Sequence, residues 1–229
     1  MNLAALFDPA SAAIVLGGTA LATFLRCGTG NCALAARSLM QLGSPRFDAM
    51  AAKAELAAQV NEIRQDGLMR AQPHHFGDSE FDEATDALIN RRSVAALLTL
   101  HERHRDKRNR ISSCASGTFA QAAELAPVFG LAGTLISLSQ MPVDGLAKGA
   151  YAAAIGMAVL TTLYGLLLAN LLLAPLARAI DRVANAEEQQ RQDIVDWLAA
   201  QVIDELPGRR ASNQQARHQT QPHPLDAAA

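Results

Sequence analysis

Two long stretches without a charged side chain, residues 125–141 and 151–177, constrain this chain more than anything else in its sequence. Uncharged apolar runs of about 17–25 residues are the length at which an α-helix crosses a hydrocarbon layer ~30 Å thick. A short connector joins them, so they read as a helical hairpin through a bilayer. Both runs also carry small and polar residues, including Pro127, Gly130, Gly133, Thr134 and Ser137 in the first and Gly156, Thr161, Thr162, Gly165, Asn170 and Pro175 in the second. Lipid offers polar groups no hydrogen bond, so these positions must face protein or water.

Half of the 229 residues are hydrophobic, yet mean hydropathy is only +0.07, so the apolar residues are concentrated in a few stretches. That pattern fits a membrane protein with a sizeable aqueous part. A third apolar run at residues 9–25 is long enough for ~26 Å of helix, and Gly17, Gly18 and Ala22 give it a small-residue side. It lacks the basic leader of a cleavable signal, since no Lys or Arg precedes Arg26. Thirteen Lys and Arg lie between Arg26 and Arg110, Lys148 alone lies in the connector, and six follow from Arg178 onward. The positive-inside rule then puts the middle and the C-terminus in the cytoplasm and the N-terminus outside.

The fold expected is all-α. Its parts are a short outer N-terminus (1–8), membrane helix 1 (9–25), a helical cytoplasmic domain (26–120) and membrane helix 2 (121–142). An outer connector (143–149), membrane helix 3 (150–177), a cytoplasmic helix (178–207) and a disordered tail (208–229) follow. Within the middle domain, residues 48–63 form an amphipathic helix ended by Asp66-Gly67, residues 72–78 a loop, and residues 79–100 one or two helices. After Pro175 the stripe Ile180, Val183, Ile194, Leu198 and Val202 marks the face of a further helix, and Pro207-Gly208 stops it.

Several superficial motifs carry no chemistry. Gly28-Thr29-Gly30-Asn31-Cys32-Ala33 has dinucleotide-fingerprint spacing but follows no strand. His101-Glu102-Arg103-His104 has one residue too few for a zinc-protease helix. Cys27, Cys32 and Cys114 form neither a disulfide framework nor a metal set. The basic run 103–110 sits just before a span, where Lys and Arg gather, and with a net charge of -2 it gives no argument for nucleic acid. No nucleophile–base pair, phosphate loop or carboxylate pair points to an enzyme, and no cofactor is implied.

Helix geometry places Thr134 and Thr161 each roughly 14–15 Å from a span end, near the midplane. On a helical wheel Thr134 shares a face with Pro127, Gly130 and Ser137. Thr161 and Thr162 share one with Ala154, Ala158, Gly165 and Ala169, opposite Leu160, Leu163, Leu166 and Leu167. These faces fit either helix-packing seams or a wet path.

The segments Ala126-Pro127-Val128-Phe129-Gly130-Leu131-Ala132-Gly133-Thr134 and Ala158-Val159-Leu160-Thr161-Thr162-Leu163-Tyr164-Gly165, with Asn170 and Pro175 beyond, resemble the paired signature of the MotA/TolQ/ExbB proton-channel family. Within it the flagellar stator branch is most similar, and Asp8-Pro9-Ala10-Ser11 with Ile14-Val15-Leu16-Gly17-Gly18-Thr19 resembles the opening of that branch's second membrane helix. Three spans with an outer N-terminus match the ExbB and TolQ branch instead. The resemblance implies an inner-membrane complex that converts proton or sodium motive force into work. Its alternatives are an ExbB/TolQ-type energiser of outer-membrane transport or envelope maintenance and, in another class, a passive oligomeric scaffold. It implies a single-span partner of MotB, ExbD or TolR type carrying a membrane Asp, with five copies of this chain around two of the partner. It also implies that Thr161 or Thr162 lines the ion path, and the matched depth of Thr134 adds that residue to it; Gly130, Gly133 and Gly165 are read as helix-packing residues, and Pro127 and Pro175, at the cytoplasmic ends of their helices, as hinges. Arg64 aligns with a rotor-contacting Arg, but Gln72 stands where the second rotor charge is expected.

Overall fold

The computed structural model describes residues 8–43, 47–66, 78–140 and 148–203, and every regular element among them is helical. In chain order these are α1 (Pro9–Gln41), α2 (Ala49–Asp66), α3 (Ser79–Arg91), α4 (Val94–Ser139), α5 (Lys148–Leu167), a π turn (Leu168–Leu173) and α6 (Ala174–Ile203). Most of the expected outer N-terminus (1–8), most of the connector, most of the loop at 72–78, the stop at Pro207-Gly208 and the tail lie outside the described residues. Three helical stretches, Pro9–Gln41, Val94–Ser139 and Tyr151–Ile203, are long and apolar enough to cross a membrane. The chain divides into two compact units, one built from Met1–Pro45 and Asn109–Asn185, the other from Arg46–Arg108 and Ala186–Ala229.

The first unit packs small residues inward. α1 begins on Asp8, whose carboxylate accepts hydrogen bonds from the Ser11 N–H at 2.9 Å and from the Ser11 hydroxyl. Pro9 follows in the first turn, where a missing N–H does no harm. The helix does not stop near residue 25; it runs on to Gln41 and breaks once, at Gly28, with φ 80° and ψ 165°. Arg26 marks a change of charge pattern, and a helix need not end there because its backbone bonds are internal. Gly18 lies so close beneath the Phe129 ring that a Cβ would sit 2.3 Å from it, which fixes α1 against α4. Farther along, Cys27 Sγ lies 3.2 Å from Gln121 Oε1, and Ala35 meets Ala115 and Ile180. The Asp8 N–H donates to the Tyr164 hydroxyl at 3.0 Å, joining the start of α1 to α5.

The second unit has an ordinary apolar core. Leu56 and Val60 of α2, Phe81, Ala84, Leu88 and Ile89 of α3, Leu97 of α4, and Ile194, Val195, Leu198 and Val202 of α6 are buried together. Their three- and four-residue spacing is that of one face per helix. α3 is capped by Asp78, whose Oδ1 accepts from the N–H groups of Glu80 at 3.0 Å and Phe81 at 3.4 Å. It ends at Arg92, in the left-handed region with φ 50°, so the region expected as one or two helices is two.

Candidate ion-path site in the membrane hairpin

The hairpin helices α4 and α5 meet along glycines. A Cβ on Gly133 would lie 2.7 Å from Thr161 Cβ and Cγ2, one on Gly165 2.7 Å from the Ala126 carbonyl oxygen, and one on Gly130 3.0 Å from the Thr161 carbonyl oxygen. At Gly133 and Gly165 a side chain would force the helices apart, and at Gly130 it would be tight, so the two backbones approach closely along these glycines. Thr161 fills the opposite side of this contact and is fully buried.

Thr161 and Thr162 therefore do not share a face. Thr162, half-buried, lines a groove of about 470 Å³ with Thr134 of α4 and with Leu138, Ala158, Val159 and Leu163. Adjacent helical residues are about 100° apart, and the glycines of α4 decide which of the two threonines faces inward. Leu163, expected opposite the threonines, stands beside Thr162 in this groove. Each hydroxyl donates back to its own helix: Thr134 to the Leu131 carbonyl at 2.6 Å, Thr162 and Thr161 to the Ala158 carbonyl at 3.2 and 2.9 Å. With the hydrogens so placed, the oxygens keep acceptor capacity.

The two prolines occupy different settings from the helix ends expected for them. Pro127 lies inside the continuous helix α4, where its ring removes the bond to the Ala123 carbonyl. Pro175 is the second residue of α6, directly after the π turn, and the Ala174 N–H there bonds to the Ala169 carbonyl. The wider turn relieves the clash a proline ring makes with the carbonyl four residues back, here Leu171. Nothing in the apolar pattern of Leu168–Leu173 signals that turn; only Pro175 hints at it. Arg64, exposed on the last turn of α2, hydrogen-bonds through Nη2 to Gln201 Oε1 of α6. Gln72 lies outside the described residues. Among those described, no group of three or more His, Cys, Asp or Glu could hold a metal ion.

The profile of the MotA/TolQ/ExbB proton channel family matches residues 59–193. Motility protein A of Cereibacter sphaeroides is 24% identical over 163 residues, 71% of this chain and 64% of that protein. The chain thus spans slightly less than two thirds of that relative's length. Chemotaxis protein PomA of Vibrio alginolyticus is 25% identical over 200 residues, 84% of this chain and 77% of its own. The flagellar MotAB stator complex of Bacillus subtilis superposes with a TM-score of 0.74 at 18% identity, covering 91% of this chain and 83% of the matched one, which shows a shared fold. With a profile match over more than half its length, the chain belongs to the MotA/TolQ/ExbB proton channel family.

Proposed function

We propose that this chain is the ion-conducting subunit of an inner-membrane complex that converts a proton or sodium gradient into mechanical work, of the flagellar stator kind. The observation that carries this reading is the meeting of Thr134 and Thr162 in one otherwise apolar groove of the hairpin. Their hydroxyl oxygens suit a cation, a water, or the proton of a carboxylic acid. Residues 125–141 and 151–177 contain no Asp, Glu, His, Lys or Arg, so the group that gains and loses the ion comes from elsewhere. A single-span partner of MotB, ExbD or TolR type with a membrane Asp supplies it, five copies of this chain surrounding two of the partner. Family membership supports the partner class, and the Lys and Arg distribution supports a periplasmic N-terminus and a cytoplasmic C-terminus. Pro127 and Pro175 are the bending points between membrane and cytoplasmic parts, and Arg64 is a rotor-facing charge.

The test is ion flux into cells or vesicles carrying the chain with its partner. Thr134→Val and Thr162→Val together keep shape but remove both hydroxyls; the complex should assemble while flux falls by about tenfold or more, the equivalent of ~1.4 kcal/mol. A double variant that conducts like the parent overturns the ion-path assignment and favours a passive scaffold.

A further inference from the structure

In the second unit, α4 presents His101, His104, Arg105 and Arg108 on one face. Against it α6 sets Glu187, Glu188, Arg191 and Gln192, and α3 sets Asp78 and Glu80. Arg108 grips Glu188 through two bonds of 2.9 Å and also pairs with Glu80. Arg191 lies 2.9 Å from Asp78 and stacks over Phe47 and Phe81, 4.2 and 5.5 Å from the ring centres. His101 sits on the buried side of this cluster, 6% exposed, one turn beyond the core residue Leu97. Its Nε2 lies 3.2 Å from Gln192 Oε1 and 3.8 Å from Glu188 Oε1.

The groups facing His101 decide what a proton there would do. From α6 come Glu188 and Gln192; from its own helix come Arg105, 4.0 Å from Glu188, and Arg108; α3 reaches the cluster through Glu80, on Arg108 and His104. Glu188 alone could neutralise an imidazolium, but both its oxygens are held by Arg108. A charged His101 would therefore be a third cation beside Glu188, after Arg105 and Arg108, on a ring that is itself nearly closed to water, where a poorly compensated charge is expensive.

We propose that His101 is a proton-operated latch: neutral, it holds α4 to α6 through Gln192, and protonated, it loosens that contact. The ring's titration has the sign this requires. Burial pushes its pKa below the ordinary 6.5; Glu188 opposes this, Arg108 and Arg105 add to it, and the Gln192 bond counters in part. A base whose folded pKa is lowered contributes stability fully above its unfolded value, and loses that stability as pH falls through the folded one. Acidification on the side of the membrane where this unit lies thus relaxes it, whichever ion the membrane unit carries.

The chain has a single tryptophan, Trp197, packed against the core of this unit, and its emission in the full-length protein in detergent micelles reads the latch. Lowering the pH from ~7.5 to ~5 should shift the parent's emission to the red with a midpoint below the ordinary histidine value of about 6.5. His101→Gln should abolish the transition, His104→Gln should leave it, and Arg105→Gln should move the midpoint upward by removing one opposing cation. A flat parent trace, a transition that survives His101→Gln, or an Arg105→Gln midpoint that is unchanged or lower overturns the proposal. Should His101→Gln already emit like the acid form at pH 7.5, the Arg105→Gln shift and the imidazole NMR titration of His101 in the parent decide the matter. An imidazole midpoint at or above the ordinary value rejects the latch.

Discussion

The two units solve packing in opposite ways. In the second, large apolar side chains such as Leu56, Leu88, Leu97 and Leu198 are inside, and charged residues gather at the edge in paired sets. In the first, α4, α5 and the π turn put Ala126, Gly130, Gly133, Ser137, Thr161, Gly165 and Ala169 inward, and leave Leu131, Leu135, Ile155, Val159, Leu166 and Leu171 exposed. In water the second arrangement is favoured because burial removes large apolar areas from solvent. In lipid that gain is absent between helices, and close backbone approach takes its place. Composition averages the two solutions to a mean hydropathy of +0.07, which describes neither.

The contrast can be broken most forcefully in the second unit. Glu188→Ala should lower its unfolding free energy by about 3 kcal/mol, because it removes both Glu188 bonds from Arg108 and leaves that guanidinium Glu80 alone; Trp197 emission during denaturant unfolding measures this. Leu198→Ala should cost about 2–5 kcal/mol in the same assay. The same chemical change at the exposed Leu135 of the first unit should alter the thermal loss of helical circular dichroism in detergent by less than about 0.5 kcal/mol. Gly133→Val should destabilise the first unit by about 1–3 kcal/mol, since its Cβ has no room. Gly156→Val should be tolerated, because nothing lies within 4 Å of a Cβ there. The smallest effect should be Thr161→Val, which keeps the shape that fills Gly133 and removes a hydroxyl bonded only within its own helix. Assembly intact and ion flux within about twofold of the parent is the expected result, set against the loss at Thr162 and Thr134.

The hairpin was legible because charge-free runs of its length have few other uses. Its glycines stand out in composition as well, Gly130 and Gly133 in the first run and Gly165 in the second, small residues of the kind that line helix seams in membranes. The two threonines were not separable: a wheel tells which residues are near one another in angle, and the partner helix alone tells which of two neighbours is enclosed. Gly133 settles that for Thr161. The charged cluster was hidden for a related reason. His101, His104, Arg105 and Arg108 read as a failed zinc motif followed by charges flanking a span, because their spacing gains meaning only once Glu188, Gln192 and Glu80 are brought opposite from distant parts of the chain.

The π turn at Leu168–Leu173 changes how the helices on either side of it are phased. An α-helix advances about 100° per residue, so one residue of surplus in a turn swings everything beyond it round by roughly that angle. Before the turn, Thr161 and Gly165 are buried, and within it Ala169; after it, Ala177 and Ile180 are. An unbroken 3.6-residue repeat from Thr161 falls nearer positions 175 and 179. The surplus residue thus sets the angular register between the membrane face of this helix and its continuation, and removing one residue from the turn would rotate Arg178 and all that follows while leaving the threonine face where it is.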